Sequence, residues 1–87
     1  MAGEDFVELR TIRDIDGVVI AVITFRNRPS GERLFSYAFL REFDNHGVSK
    51  RTPWLNARHA AAVLRLTPIV VAEIAKEEAA FKKARFS

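Results

Sequence analysis

The sequence predicts an α+β domain in which a four-stranded antiparallel β-meander precedes a C-terminal helix that is kinked or broken, in the order ββββα. Alternating or continuously apolar stretches, typical of strands, occupy most of the first 55 residues. Turn-forming residues separate these stretches at hairpin-length intervals. Helix-forming residues follow from Ala57, and 87 residues are enough for one domain, residues 1–87.

The first two strands are predicted from two different patterns. Residues 6–13 alternate between a face of valine, leucine and threonine and a face of charged residues, which predicts a half-buried strand. Asp16 and Gly17 then predict a two-residue type I′ turn, because glycine tolerates positive φ. Residues 18–26 are apolar on both faces. This pattern predicts a central strand that is covered at least in part on both sides.

The third strand, predicted over residues 33–43, has two unlike faces. One combines aromatic rings with arginines: Arg33, Phe35, Tyr37, Phe39, Arg41 and Phe43. The other has smaller, aliphatic or acidic side chains: Leu34, Ser36, Ala38, Leu40 and Glu42. A turn at residues 44–47 follows, with Gly47 as its left-handed residue. Residues 48–55 predict a basic fourth strand that ends near Pro53 or lies at an edge, since proline has no ladder N–H.

Asn56 is the predicted N-cap of a helix that begins at Ala57. Pro68 is expected to kink or interrupt this helix, because proline removes a backbone hydrogen bond. An apolar stripe is predicted along one helix face: Ala60, Val63, Leu64, Thr67, Val71, Ile74, Glu78 and Phe81. Leu66, Ile69 and Ala72 lie off that stripe. A helix that is apolar on more than one face predicts a homodimer through residues 57–75, and the alternative is burial in the protein's own curved sheet.

Positive charge is concentrated in the middle of the chain. The whole sequence has a net charge of +3, whereas residues 33–65 contain six lysines and arginines against two acids, a local +4. Cations between exposed rings form stacking platforms for single-stranded nucleic acid. The candidate binding residues are Arg33, Tyr37, Phe39, Arg41, Phe43, Lys50, Arg51 and Trp54. The alternative is that the rings of the third strand fill the core below the helix.

Catalytic and metal-binding patterns are absent from the sequence. There are no cysteines, no H-x-x-x-H or HExxH spacing and no glycine-rich phosphate loop. We therefore expect no enzyme activity, no cofactor and no metal. His59 is expected to be a partly exposed surface residue, and Asp14 and Asp16 to be turn residues. The start of the chain shows no signal peptide, and no apolar run is long enough to span a bilayer, which predicts a cytoplasmic protein without membrane partners.

A group of short motifs resembles the positive cofactor four family of transcriptional coactivators and its bacterial and phage relatives. The motifs are Arg41-Glu42-Phe43, the turn over residues 44–47, Lys50-Arg51 and the helix entry Leu55-Asn56. The resemblance implies a homodimer joined through helices, with curved sheets that grip single-stranded DNA. It places the basic and aromatic contacts at Arg41, Phe43, Lys50 and Arg51. The chain departs from the family at Pro53-Trp54, at Pro68 and in a longer tail.

Two functional hypotheses follow. The first is a homodimer that binds single-stranded DNA, or RNA, on a basic and aromatic sheet surface, in transcription or replication. The second is a small dimeric protein-interaction module without a nucleic-acid ligand. Salt-dependent retention on single-stranded DNA separates the two.

Overall fold

Four strands form one antiparallel sheet in the computed structural model, which describes residues 6–86. The strands follow the chain order as β1 (Val7–Arg13), β2 (Val19–Asn27), β3 (Arg33–Asn45) and β4 (Val48–Thr52). A 3₁₀ turn at Ala57–His59 leads into helix α1 (Ala60–Phe86). The predicted ββββα order is confirmed. The first residues, on which the signal-peptide expectation rests, lie partly outside the described range.

Strand β2 is the centre of the fold and is buried on both faces. Val19, Ala21 and Ile23 belong to the core cluster that packs against α1. Ile20 and Val22 alternate with them and lie on the opposite face, which is called the open face below because α1 does not cover it. Both are nonetheless buried. The two-sided apolar pattern of this strand therefore predicts its position correctly.

Helix α1 packs on the sheet through Ala62, Leu66 and Val70, which are spaced by four residues and lie on one face. The predicted stripe is wrong as a description of the core, because Leu64 and Val71 are 73% and 60% exposed. These residues lie on the side of the helix next to β3. The residues of the predicted stripe that do contact the core, such as Ile74, are only partly buried.

The helix continues through Pro68, so of the two expectations, a kink or a break, the break does not occur. Pro68 removes only the backbone hydrogen bond to the Leu64 carbonyl, and packing on the sheet offsets this loss. The Thr67 hydroxyl, immediately before the proline, donates to the Val63 carbonyl at 2.7 Å. Leu66 and Val70 are buried on either side of it, so both halves of the helix are held against the same sheet.

The helix start differs from the prediction in one residue. Asn56 is the N-cap in extended conformation, as predicted. Its amide N–H donates to Nδ1 of His59 at 2.9 Å. His59 is only 6% exposed, so the expectation of a surface histidine is wrong.

The two outer hairpins have different turns. His46 and Gly47 both have positive φ, 54° and 83°, and form the two-residue connection between β3 and β4. The turn before β2 is longer than predicted: Gly17 donates to the Asp14 carbonyl and is the residue with positive φ there, so it is not a type I′ turn. Strand β4 ends before Pro53 as its missing N–H requires.

Candidate nucleic-acid interface

The register of β3 places its aromatic face on the same side of the sheet as the helix. Phe39 pairs with Ala21 and Arg41 with Val19, and both partners belong to the core under α1. Because strand side chains alternate, the other members of this face also lie on the helix side. They are Arg33, Phe35, Tyr37 and Phe43. Ser36 and Ala38 lie on the open face.

The helix covers only part of this aromatic face. Phe39 packs against the core cluster. Tyr37 is 52% exposed and Phe43 is 42% exposed, although each is a large apolar side chain. The Tyr37 and Phe39 rings meet edge to face, with centroids 5.6 Å apart and planes at 73°. Each alternative for the aromatic face therefore describes part of it: Phe39 contributes to the core, whereas Tyr37 and Phe43 remain accessible.

Two cations accompany the accessible rings. Arg41 lies over the Phe43 ring, with its guanidinium carbon 5.8 Å from the centroid. Lys50 pairs with Phe43 across the β3–β4 ladder, so it lies on the same face, and it is exposed. Neither cation forms an ion pair with a carboxylate of the described residues. Tyr37, Arg41, Phe43 and Lys50 are called the β3–β4 surface below.

Trp54 follows β4 on the connection to the helix and is 79% exposed. Its amide donates to the Thr52 hydroxyl at 3.3 Å. Thr52 pairs with Arg41 and so lies on the helix side. Trp54 therefore lies two positions after the end of β4, and its exposed ring is close in sequence to the β3–β4 surface.

Arg51 lies on the opposite face from Lys50. It pairs with Glu42 in the ladder, and its guanidinium contacts Glu42 at 3.7 Å and Glu8 at 3.3 Å. Glu42 also forms an ion pair with Arg13, with 2.5 Å between the charged atoms. The Arg13 hydrogen bond, opposed in part by burial, lowers the pKa of Glu42. Arg51 thus belongs to an ion-pair chain on the open face and is not brought together with the β3–β4 surface.

Arg33 lies at the opposite end of β3 from Arg41 and Phe43. Its guanidinium lies 4.2 Å from the Phe25 centroid and 4.8 Å from the Phe81 centroid. Its Nε donates to the Asn27 side-chain oxygen at 2.8 Å. Eight residues of strand separate it from Arg41, roughly 26 Å at the usual rise. Arg33 therefore joins the β2–β3 hairpin to the end of α1.

Arg58 and His59, which were not among the predicted site residues, lie next to the β3–β4 surface. They line one cleft with Arg41 and Phe43. Both come from the 3₁₀ turn at the start of α1, where the first turn contains no acid. Acids are usually favoured there by the helix dipole. Two basic residues in their place were a sequence signal for this site.

An apolar groove runs between α1 and β3. It is lined by Phe35, Tyr37, Val71, Ile74 and Ala75, with Ser36 and Glu78. Ile74 is partly buried against the core, whereas Val71 is mostly exposed. Val71, Ile74 and Glu78 of the predicted helix stripe therefore contribute to one wall of a groove, and β3 forms the other.

Residues 6–86 contain no cluster of three or more side chains suited to hold a metal ion. Over the same residues, α1 lacks the long apolar stretch that a bilayer-spanning helix requires. Comparison with protein-family models, with curated proteins and with solved structures gave no match to this chain in any of the three.

Proposed function

We propose that the protein binds single-stranded nucleic acid, DNA or RNA, on the β3–β4 surface. The observation that supports this best is the arrangement around Phe43. This ring is half-exposed, one cation lies over it and a second lies across the ladder, and neither cation is neutralised by a carboxylate of the described chain. The absence of cysteine from the sequence fits a cytoplasmic setting for this activity.

The chemistry of the surface suits an unpaired strand. Tyr37 and Phe43 offer aromatic rings on whose faces bases stack, each contributing about 1–3 kcal/mol. Arg41 and Lys50 contact phosphates, an interaction that is independent of base sequence and weakens with salt. The exposed Trp54 ring adds a third stacking position beyond β4. A duplex is disfavoured because its bases are already stacked on one another.

The same proposal includes a homodimer through the helical region. The groove between α1 and β3 is open, and Leu64 and Val71 expose apolar surface beside it. An exposed apolar patch of this kind is typical of a protein–protein contact. The helix of a second copy has the matching apolar side, and closed two-fold pairing is the commonest arrangement of identical chains. Dimerisation would bring two β3–β4 surfaces into one particle.

A titration of fluorescently labelled oligothymidine at low salt tests the binding proposal. We expect saturable binding, with weaker binding of a duplex of equal length. Quenching of the single tryptophan, Trp54, reports contact near the end of β4. Absence of binding at tens of micromolar protein contradicts the proposal.

The second candidate is a dimeric interaction module without a nucleic-acid ligand. The groove favours it, because exposed apolar surface at Leu64 and Val71 is typical of a protein–protein contact, whether or not a strand binds. A protein that is dimeric by light scattering but does not bind oligothymidine supports this second candidate.

A further inference from the structure

The cleft beside the start of α1 combines several hydrogen-bond donors. It is lined by Asp16, Val18, Arg41, Glu42, Phe43, Arg58 and His59. Arg58 is exposed, whereas His59 is 94% buried, as its exposed fraction is 6%. The lining therefore includes two guanidinium groups and one buried imidazole.

The Nε2 N–H of His59 has no hydrogen-bond acceptor among the described residues. Nδ1 of His59 accepts the Asn56 amide hydrogen at 2.9 Å, so in the neutral ring the proton is on Nε2. Within residues 6–86, no side chain or carbonyl accepts a hydrogen bond from Nε2. Nδ1 fixes the ring, and Nε2 remains available to an acceptor in the cleft.

Arg41 has a similar unused donor. Its Nε is buried and has no hydrogen-bond partner among the described residues. The guanidinium lies over Phe43, which orients it but accepts no hydrogen bond in its plane. A buried donor without an acceptor is unfavourable, because the desolvation of the N–H is not compensated. Only an acceptor that reaches Nε itself would reduce this cost.

The dipole of helix α1 also acts on the cleft. The cleft lies at the N-terminal end of α1, a helix of 27 residues whose first turn contains no acid. The helix dipole favours negative charge at this end, and the cationic Arg58 is unfavourable there without an anion.

The two carboxylates of the cleft already have partners. Oδ1 of Asp16 accepts the amides of Val18 at 2.8 Å and Val19 at 3.2 Å. The Glu42 side chain points to the open face, where Arg13 and Arg51 hold it. Neither carboxylate is paired with Arg41 or Arg58.

From these observations we infer that the cleft is an anion site that binds a phosphate group between Arg41, Arg58 and His59. Tetrahedral phosphate oxygens accept from guanidinium and imidazole donors at once, which suits this set. The phosphate belongs either to the end of a nucleic-acid strand that crosses the β3–β4 surface or to a small phosphate ester. This site goes beyond the proposed function, because a phosphate can occupy the cleft when no base stacks on Tyr37 or Phe43.

Nuclear magnetic resonance of the two histidines tests this inference. Inorganic phosphate is titrated at constant ionic strength, adjusted with chloride, and the ring signals of His59 and His46 are followed. We expect a saturable change at His59 in the millimolar range and none at His46, which lies in the β3–β4 turn. Arg58→Gln should weaken phosphate binding roughly five- to tenfold, as expected for loss of one charge-assisted hydrogen bond.

Arg28→Gln is the matched control, because it removes the same charge from an exposed position in the β2–β3 loop. It should leave phosphate binding unchanged. Unchanged thermal unfolding of both variants shows that the fold is retained. No saturable change at His59, or equal weakening by Arg28→Gln, overturns the inference.

A second arm identifies the source of the phosphate. Terminally phosphorylated oligothymidine is compared with the same oligothymidine bearing a free hydroxyl end. Tighter binding of the phosphorylated strand that Arg58→Gln abolishes assigns the site to a strand end. Equal binding of both strands, together with a saturable response to phosphate, assigns it to a small phosphate ester. If phosphate does not bind in the cleft, oligothymidine can still bind the β3–β4 surface through Lys50. The phosphate site and the strand-binding proposal can therefore be disproved separately.

Discussion

The carboxylate of Asp14 receives two hydrogen bonds from Arg65, from Nε at 3.0 Å and from Nη2 at 2.6 Å. Asp14 is buried in the turn between β1 and β2, and Arg65 belongs to α1. This pair therefore joins the first hairpin to the helix. The Arg65 hydrogen bond, opposed in part by burial, lowers the pKa of Asp14 to about 2.

This pair predicts a dependence of stability on pH. A carboxyl group whose pKa is lower in the folded than in the unfolded state stabilises the fold above its unfolded pKa. The contribution is lost as pH falls from about 4 through about 2, where the folded group takes up its proton. Asp14→Asn should therefore lower the unfolding midpoint at neutral pH and reduce its decline over this acid range. Urea unfolding at several pH values measures both effects; an unchanged acid decline in the variant contradicts the assignment.

Val70 and Val71 are adjacent, but Val70 is buried and Val71 is exposed. Substituting each in turn therefore tests folding and dimerisation separately. Val70 is buried in the core, so Val70→Glu should unfold the protein, since an unpaired charge in an apolar core is costly. Val71 lines the exposed groove, so Val71→Glu should keep the helix content and abolish the dimer. Circular dichroism and light scattering measure the two properties. A Val71→Glu variant that is still dimeric, or a wild-type protein that is monomeric, argues against a dimer through this groove.

The salt dependence of oligothymidine binding reports the number of phosphate contacts. Each contact on a single strand contributes about −0.7 to the slope of log affinity against log salt. Lys50→Gln should weaken binding of all sequences alike and make the slope shallower by about that amount. A lysine on α1 that is exposed and distant in sequence, Lys83, provides the control, and Lys83→Gln should leave the slope unchanged. An unchanged slope in Lys50→Gln excludes a phosphate contact at this position.

Gly47 is required by the conformation of its turn. It has a φ of 83°, and a Cβ added there meets no atom within 4 Å. Gly47→Ala should therefore lower the free energy of unfolding through backbone strain alone, by about 1–2 kcal/mol. Urea unfolding measures this change. A loss well above that range would mean that the added methyl group disturbs packing as well.

Local patterns were enough to predict the strands, their order and the aromatic face of β3. Period-two alternation places Tyr37 and Phe43 on one face whatever lies above them. It does not say how far the helix extends over that face. That depends on where α1 crosses the sheet, which is determined by Ala62, Leu66 and Val70. The exposed Leu64 and Val71 have the same apolar character and follow a similar spacing, so the sequence does not separate groove from core.

Contacts between distant residues account for the other differences. Arg51 is neutralised by Glu8, 43 residues earlier, and Arg65 binds Asp14 across 51 residues. Neither pairing has a local signature. His59 is buried because its ring accepts the Asn56 amide, a contact that depends on the 3₁₀ geometry of the helix start. Charge and aromatic content therefore did not show which cations of β3 and β4 are free of carboxylate partners.

The adjacent residues Lys50 and Arg51 provide the most direct test of binding on the β3–β4 surface. They lie on opposite faces of β4, and only Arg51 is held by carboxylates. Affinity for labelled oligothymidine is measured for Lys50→Glu and Arg51→Glu after both are shown to be folded. Binding on the β3–β4 surface predicts a large loss for Lys50→Glu and a small one for Arg51→Glu. A larger loss for Arg51→Glu would place the strand on the open face. That result, or equal losses for the two variants, would contradict the proposal.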